Sequence, residues 1–542
     1  MILRYFSRGR AAILRLALLG LMLSAGLQFL CFRRWPGAPM FDLGYSILAA
    51  QNLLAHGRLA SLNMLADFHD DLARAAHLRW LVHFPPGQSL LYVAAMSLGL
   101  SAGAATKLLI LLGIVFGGTG WILLARYLKA PPAWLMILAV GYPWLPFTGP
   151  AYALYETEHV AGALMPWFCL VLLQLVPLAA RVPSGGKMAR GTGLRVSLAV
   201  ALALALVSFK YSMSPVFLAA GLFLLALSRR RVLTMPLWWK ITIVGLMVAP
   251  ALLGLLVSWA YGPRLAITVV TTPFAAILFV KNAFENSITA PIGGGMLAFR
   301  FLRAAGWQTG RLLLDGMALA LLAAFWLHLR AHPLRGRLRW FAVLLAMLSV
   351  SLWLALAASS VAGQGQWNFG SDDRLYQPIV SLWLLFAMVT LARLRPNDLL
   401  RSPAFLLCAV PISLVALLLL KDALFKPPSA PMPRSGIAWS ESTNPRHAMF
   451  LADFAKSRSR KPDLMIGPSA LMNEIETPSM GNGYFVPPGH HYRSSAPLEV
   501  WALVWPSQSG KLLADFSGVH AERVRTPKGY PFDFYIFTLQ PS

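Results

Sequence analysis

Residues 11–45 read AAILRLALLGLMLSAGLQFLCFRRWPGAPMFDLGY. The run from 11 to 33 is apolar and long enough to cross a bilayer, which takes about 20 such residues. Arg4, Arg8 and Arg10 precede it, and no small-residue cleavage site stands before Arg33-Arg34, so it reads as a retained anchor with its N-terminus inside. Phe41-Asp42-Leu43-Gly44-Tyr45 then opens onto a helical pattern, Ser46 to Ala55, that stops at His56-Gly57. Further on, His83-Phe84-Pro85-Pro86-Gly87 leads another apolar stretch. An acid just beyond a span, followed by a structured loop, is more than an anchor or a simple channel requires. It makes the first outer loop, 34–103, the candidate reaction site.

The rest of the chain continues in the same solvent. Hydrophobic residues make up 57% and charged residues 13%, where a soluble globule would carry roughly a quarter charged residues. Mean hydropathy is +0.61. The net charge of +26 would suit nucleic acid, but its distribution argues otherwise. The loops at 1–15, 126–131, 181–196, 228–240, 330–340 and 391–401 hold 21 Lys and Arg and one acid, Asp398, out of 21 acids in the chain. That is the positive-inside bias of a polytopic membrane protein. No basic stretch carries a nucleic-acid reader element, so no nucleic-acid partner is expected.

With those loops inside, the hydropathy pattern predicts about eleven transmembrane helices: 11–33, 104–125, 132–148, 160–180, 196–209, 212–227, 241–260, 311–329, 341–360, 377–392 and 403–421. Two are short, 196–209 and 212–227, with Lys210 between them, and read as a broken pair. Pro85 to Leu100 suits an interfacial helix better than a span, because a span there would put Arg126 and Lys129 outside. An odd span count puts the C-terminus outside. The tail, 422–542, starts with a Pro-rich linker, Lys426 to Pro431, and continues with a helical pattern at 448–457 and strand patterns at 498–504 and 532–539, the signature of a small α/β soluble domain. The expected organisation is a helical membrane domain, 1–421, and an outer domain, 422–542. Cys31, Cys169 and Cys408 lie in or beside spans, so no disulfide framework is implied.

Several residues invite chemistry, and each has a plainer reading. Asp42 reads as an N-cap, accepting from free helix amides; the positive helix end also keeps a carboxylate ionised, as a general base requires. Glu156, Glu158 and His159 precede the fourth span, where acids are either loop residues or functional groups at membrane depth; a divalent metal is one reading, though the ligand set is incomplete. Lys210 either snorkels to the interface or meets a lipid phosphate. Arg374, in Ser371-Asp372-Asp373-Arg374-Leu375-Tyr376-Gln377-Pro378, either pairs with its acidic neighbours or offers a bidentate fork to phosphate. Gly293-Gly294-Gly295 opens no nucleotide-binding helix, and His490 and His491 read as loop residues.

Taken in order, these segments resemble the GT-C membrane glycosyltransferases, in the bacterial branch related to protein O-mannosyltransferases and the lipid A aminoarabinose transferase. Four features carry the resemblance: Asp42-Leu43-Gly44-Tyr45 with Ala50 to Gly57; Phe84-Pro85-Pro86-Gly87; the apolar stretch from Leu198 ending in Lys210-Tyr211; and Asp373-Arg374-Leu375-Tyr376 with Pro378. Leu43 stands where many relatives have a second acid, and the tail from about residue 422 is not covered. The resemblance implies an inverting hexosyl- or pentosyltransferase that takes a sugar from a polyprenyl-phosphate donor to a glycan, lipid or protein acceptor on the outer face of a bacterial inner membrane. It implies Asp42 as base, Lys210 and Arg374 at the donor phosphate, Glu156, Glu158 and His159 on the acceptor or metal side, and Tyr45, His83, Pro85 and Pro86 as supports of the first loop. The competing classes are a transporter or flippase of a lipid-linked saccharide and a non-catalytic assembly protein. A transporter would gather acids near the midplane and show symmetry between halves; here the acids crowd the outer side and no repeat is visible.

Overall fold

The computed structural model describes residues 2–32, 41–57, 59–61, 71–75, 79–80, 85–145, 148, 158–179, 191–210, 213–228, 237–261, 323, 326–362, 377–393, 445–458, 462–467, 480–482 and 492–541. The chain forms two compact bodies. One gathers Met1–Phe32, Ile110–Ala153 and Glu158–Phe425; the other gathers Arg33–Leu109, Leu154–Thr157 and Lys426–Ser542.

The first body is a helical bundle. Its described helices are α1 (Ile2–Phe32), α5 (Ala102–Tyr127, shared with the second body through its first turns), α6 (Pro132–Gly141), α7 (Glu158–Ala179), α8 (Thr192–Phe209), α9 (Pro215–Ser228), α10 (Leu237–Tyr261), α11 (Gly336–Ala362) and α12 (Gln377–Leu391). Among the described residues, five helices are long and apolar enough to cross a membrane: Ala11–Leu30, Ala102–Tyr127, His159–Pro177, Thr192–Phe209 and Gly336–Ala355. The expected span 132–148 is helical only to Gly141 and closes in a 3-10 turn, Tyr142–Trp144. Pro143 has no amide to continue the ladder. The expected span 403–421 and most of 311–329 lie outside the described residues.

Close approach holds the bundle together. α5 presents Gly113, Gly117 and Gly120 to α7: a Cβ on Gly117 would stand 2.9 Å from Ala163 Cα, and one on Gly120 2.7 Å from Trp167 Nε1. The Trp167 indole uses that room to stack on Phe116 at 5.0 Å and to donate to the Phe116 carbonyl at 3.0 Å. Small residues let membrane helices meet backbone to backbone, where lipid supplies no hydrophobic drive. α1 turns Ala17, Leu21 and Ala25 inward; its Ser24 donates to the Val140 carbonyl at 2.7 Å and accepts from Trp144 Nε1 at 2.9 Å.

The basic loops meet at one end of this bundle. Arg337, at the start of α11, donates to the Tyr127 carbonyl at 2.9 Å and lies 4.3 Å over its ring. Arg393, just past α12, donates to the Leu128 carbonyl at 3.0 Å. Arg195, near the start of α8, reaches Gln174 at 3.3 Å, beside Leu173, whose carbonyl accepts from the Tyr127 hydroxyl at 2.7 Å. The end of α5 is a Schellman cap: Ala130 N bonds to Ala125 O, Lys129 N bonds to Arg126 O, and Lys129 adopts φ 65°. Two guanidinium groups on the last carbonyls of a helix also complement its negative end. The described parts of these loops, 126–131, 191–196, 330–340 and 391–393, expected on one side of the membrane, thus share an end.

The second body is built on a five-stranded sheet in the order β4-β3-β5-β7-β6, with β3 (Leu464–Gly467), β4 (Met480–Asn482), β5 (Leu498–Val504), β6 (His520–Val524) and β7 (Asp533–Leu539). β3 runs parallel to β4 and β5, while β5–β7 and β7–β6 are antiparallel. Both faces of β5 are covered, which explains its nearly unbroken apolar run. Leu498, Val500, Ala502 and Val504 pack with Leu512 and Phe516 around α14 (Ser509–Asp515); Trp501 and Leu503 pack with Leu451 and Phe454 of α13 (Pro445–Ser457).

The first loop completes this core. Its elements are α2 (Phe41–His56), the two-residue strands β1 (Ala60–Ser61) and β2 (Arg79–Trp80), α3 (Leu72–Ala75) and α4 (Gly87–Ser97). Leu72 is buried in one sheet layer, and its amide donates to the Arg493 carbonyl at 2.8 Å. The Asp71 carboxylate accepts from the amides of Ala73 and Ser495. Leu48 of α2, 3% exposed, joins Leu451, Trp501 and Phe534 in the other layer. A neighbouring stripe of α2, Leu43, Ile47 and Ala50, packs on Tyr92 and Ala95 of α4 and on Ala102 and Ala105 of α5. The contact grouping joins residues 33–109 to the tail, where the sequence reading set them in the membrane domain.

Candidate functional site

The loop begins as expected and differs in one detail. The sequence pattern places the helix start at Ser46, with Asp42 ahead of it as an N-cap. α2 starts at Phe41, so Asp42 is its second residue and lies in the first turn. Burial of Leu43 and Ile47 against α4 extends the helix through Gly44, a residue that costs about 1 kcal/mol in a helix interior. Gly57 ends the helix as read: its φ is 68° and its amide bonds to the Leu53 carbonyl at 2.9 Å. Tyr45 lies within α2. Pro85 is buried and Pro86 is the N-cap of α4, with φ −73° and no side-chain cap. At 11 residues, α4 is too short to cross a bilayer.

In the bundle, Glu158 and His159 open α7. His159 is half-buried, its ring against α5, where a Cβ on Gly113 would stand 3.3 Å from Cδ2. Lys210 ends α8 in an extended conformation, φ −153° and ψ 119°, with its amide bonded to the Leu206 carbonyl at 3.0 Å. Its carbonyl accepts from Met213 at 2.9 Å, and α9 begins at Pro215. The broken pair around Lys210 is therefore a real interruption, and a cation suits the negative end of α8.

The helices that carry these residues are joined by a side-chain bond: Arg195, near the start of α8, donates to Gln174, near the end of α7. Moving the same distance from that pair, about 22 Å along each helix at 1.5 Å per residue, reaches His159 on α7 and Lys210 on α8. Each lies at the end of its own helix away from the Gln174–Arg195 pair. Asp42, Tyr45, Pro85 and Pro86 belong to the second body. His83, Glu156 and Arg374 lie outside the described residues, as do Gly293, Gly294, Gly295, His490 and His491. Among the described residues no group of three or more His, Cys, Asp or Glu could hold a metal.

Sequence reading passed over two residues of the same loop, Gln88 and Ser89. Both are fully buried at the start of α4. Their position directly after Pro85-Pro86-Gly87 was the available signal.

No protein-family model matches the chain, and no curated protein matches it. Among solved structures the chain is similar to the crystal structure of ArnT from Cupriavidus metallidurans in the apo state, at 13% identity and a TM-score of 0.48, over 95% of this chain and 97% of that one.

Proposed function

We propose that this chain is a GT-C-type membrane glycosyltransferase that moves a sugar from a polyprenyl-phosphate donor to an acceptor hydroxyl on the outer face of a bacterial inner membrane. The reading rests on the residues quoted above and on one observation in particular: Lys210 interrupts two apolar helices, at the end of α8 away from Arg195. A polyprenyl phosphate keeps its chain in the bilayer and its charge at the interface, so a cation at that depth fits the donor. In this reading about eleven helices cross the membrane, and the tail from residue 422 lies outside.

Asp42 takes the proton from the acceptor hydroxyl. The acceptor oxygen attacks the anomeric carbon from the face opposite the phosphate. The bond from that carbon to the phosphate oxygen breaks, the lipid phosphate leaves with the electron pair, and configuration inverts. Lys210 and Arg374 stabilise the charge on the departing phosphate. Glu156 and Glu158 line the acceptor side or hold a divalent metal.

The test is sugar transfer by the full chain in lipid nanodiscs, assayed over a panel of polyprenyl-phosphate-linked hexoses and pentoses. Asp42→Asn is expected to lower transfer by about 100-fold or more while the protein stays folded. Wild-type rates from that variant would remove Asp42 as base. A wild-type protein inert toward every donor would remove the reading.

A further inference from the structure

We infer that the first turn of α4, Gly87-Gln88-Ser89, is a recognition element for a sugar group bearing free hydroxyls. The inference rests on the glycosyltransferase reading for the source of that sugar, but its evidence is separate. Gln88 is 0% exposed, and neither Oε1 nor Nε2 has a hydrogen-bond partner; Ser89 is equally buried, and its Oγ has none. Burying an amide or a hydroxyl without a partner costs more than a made bond returns, so consecutive orphans in a native fold call for an explanation. The helix start adds further unmet donors. Pro86 gives no side-chain cap, and the first backward bond of the helix is from the Leu90 amide to the Pro86 carbonyl. The amides of Gly87, Gln88 and Ser89 precede it and have no acceptor within the helix.

The next buried polar side chain on the same helix is satisfied. Tyr92, one turn further along α4 and just as buried, shares a 2.8 Å hydrogen bond with Thr106. Tyr92 and Ala95 pack on α2, and helical spacing sets Gln88 in line with them. On α2, Gln51 follows Ile47 by one turn, and its Oε1 also lacks a partner. The unmet groups therefore sit on the two helices that carry the Asp42 and Pro85-Pro86 motifs.

Their chemistry favours hydroxyls over phosphate. A phosphate offers acceptors and would leave Gln88 Oε1 unmet. Neighbouring sugar hydroxyls each donate and accept, which suits a carboxamide, a serine hydroxyl and free helix amides together. The sugar comes either from the lipid-linked donor or from a glycan acceptor.

The test uses the full chain in nanodiscs, with Gln88→Met and Ser89→Ala as variants that keep shape and remove polarity. Because the orphans are costly, both variants are expected to unfold at the wild-type temperature or above it. Transfer from the polyprenyl-phosphate donor panel is expected to fall about tenfold or more; a raised KM for the donor identifies the donor sugar, and a raised KM for the acceptor identifies the acceptor glycan. Full transfer at wild-type KM in both variants would overturn the inference, leaving Gln88 and Ser89 as packing defects. If Gln88→Met fails to fold, Ser89→Ala alone decides by the same criteria. A second readout is hydrogen exchange at the amides of residues 87–89 with a panel of methyl hexosides and pentosides. Protection of the wild type that is lost in Ser89→Ala supports the site even if no lipid-linked donor is used, in which case only the transferase reading fails. An inert wild type that gains no protection from any glycoside overturns both.

Discussion

α1 of the bundle and β5 of the sheet are both strongly apolar, yet they are buried in opposite ways. α1 leaves Leu16, Leu19, Leu23, Leu27 and Leu30 more than half exposed, Leu23 at 66%, and turns Ala17, Leu21, Ala25, Ser24 and Gln28 inward. β5 hides every residue except Glu499, which is half-buried. α10 repeats the α1 pattern with Leu237, Ile241, Val244 and Leu252 outward. In the sheet body apolar groups escape water by covering one another. In the bundle many of them turn outward, where a bilayer would meet them, and small residues such as Gly117 and Ala163 let helices meet closely around buried aromatics such as Trp121 and Phe168. The same composition thus carries two packing rules, and a substitution tests which rule governs its site.

The largest expected effect lies in the loop that joins the sheet body. Asp42→Asn should lower sugar transfer by about 100-fold or more with no loss of thermal stability; a parallel loss of stability would mean that Asp42 supports the fold instead of the reaction. Next comes Leu48→Ala, a truncation in a core shared by α2 and the sheet. It should cost about 2–4 kcal/mol, seen as faster hydrogen exchange in β3, β5 and α2 together. Unchanged exchange in the strands would break the claim that the first loop completes the sheet core. Gly117→Ala tests the bundle's rule, because its Cβ would press on Ala163 and Tyr142. It should cost about 1–3 kcal/mol and lower the temperature at which the α5–α7 pair opens, read by exchange at residues 113–120. A neutral result would mean that the two helices can part without cost. The smallest effect is Asp71→Ala, which removes the carboxylate bonded to the Ala73 and Ser495 amides. It should cost about 1 kcal/mol, measured as more rapid proteolysis near residue 71 with transfer largely retained.

Much of this arrangement was legible before the structure. The arginine-rich loops predicted a common side, and Arg195, Arg337 and Arg393 meet at one end of the bundle. Gly57 predicted a helix stop, and its φ of 68° provides one. The strand pattern at 498–504 matches β5, and that at 532–539 matches β7 within a residue. Other features were hidden for physical reasons. The start of α2 was read late because Gly44 is a poor helix former, while burial of Leu43 decides the matter. Pro143 was read through as part of a span, yet the helix closes before it.

Of the candidate site, the sequence singles out Asp42, Pro85, Pro86, Glu158, His159 and Lys210 because each breaks a local pattern: a charge, an imidazole or a proline where apolar helix is the rule. Periodicity and charge act over a few residues, so they mark which segments are apolar enough to cross a membrane, which loops are basic and where helices stop. They do not reveal which distant segments bury one another. That Leu48 and Leu72 of the first loop enter the core of the C-terminal sheet, and that Gln88 and Ser89 end up buried without partners, depends on contacts between segments far apart in the chain. Only the tertiary structure decides those, because burial and hydrogen bonding are properties of the packed neighbours and not of the residue itself.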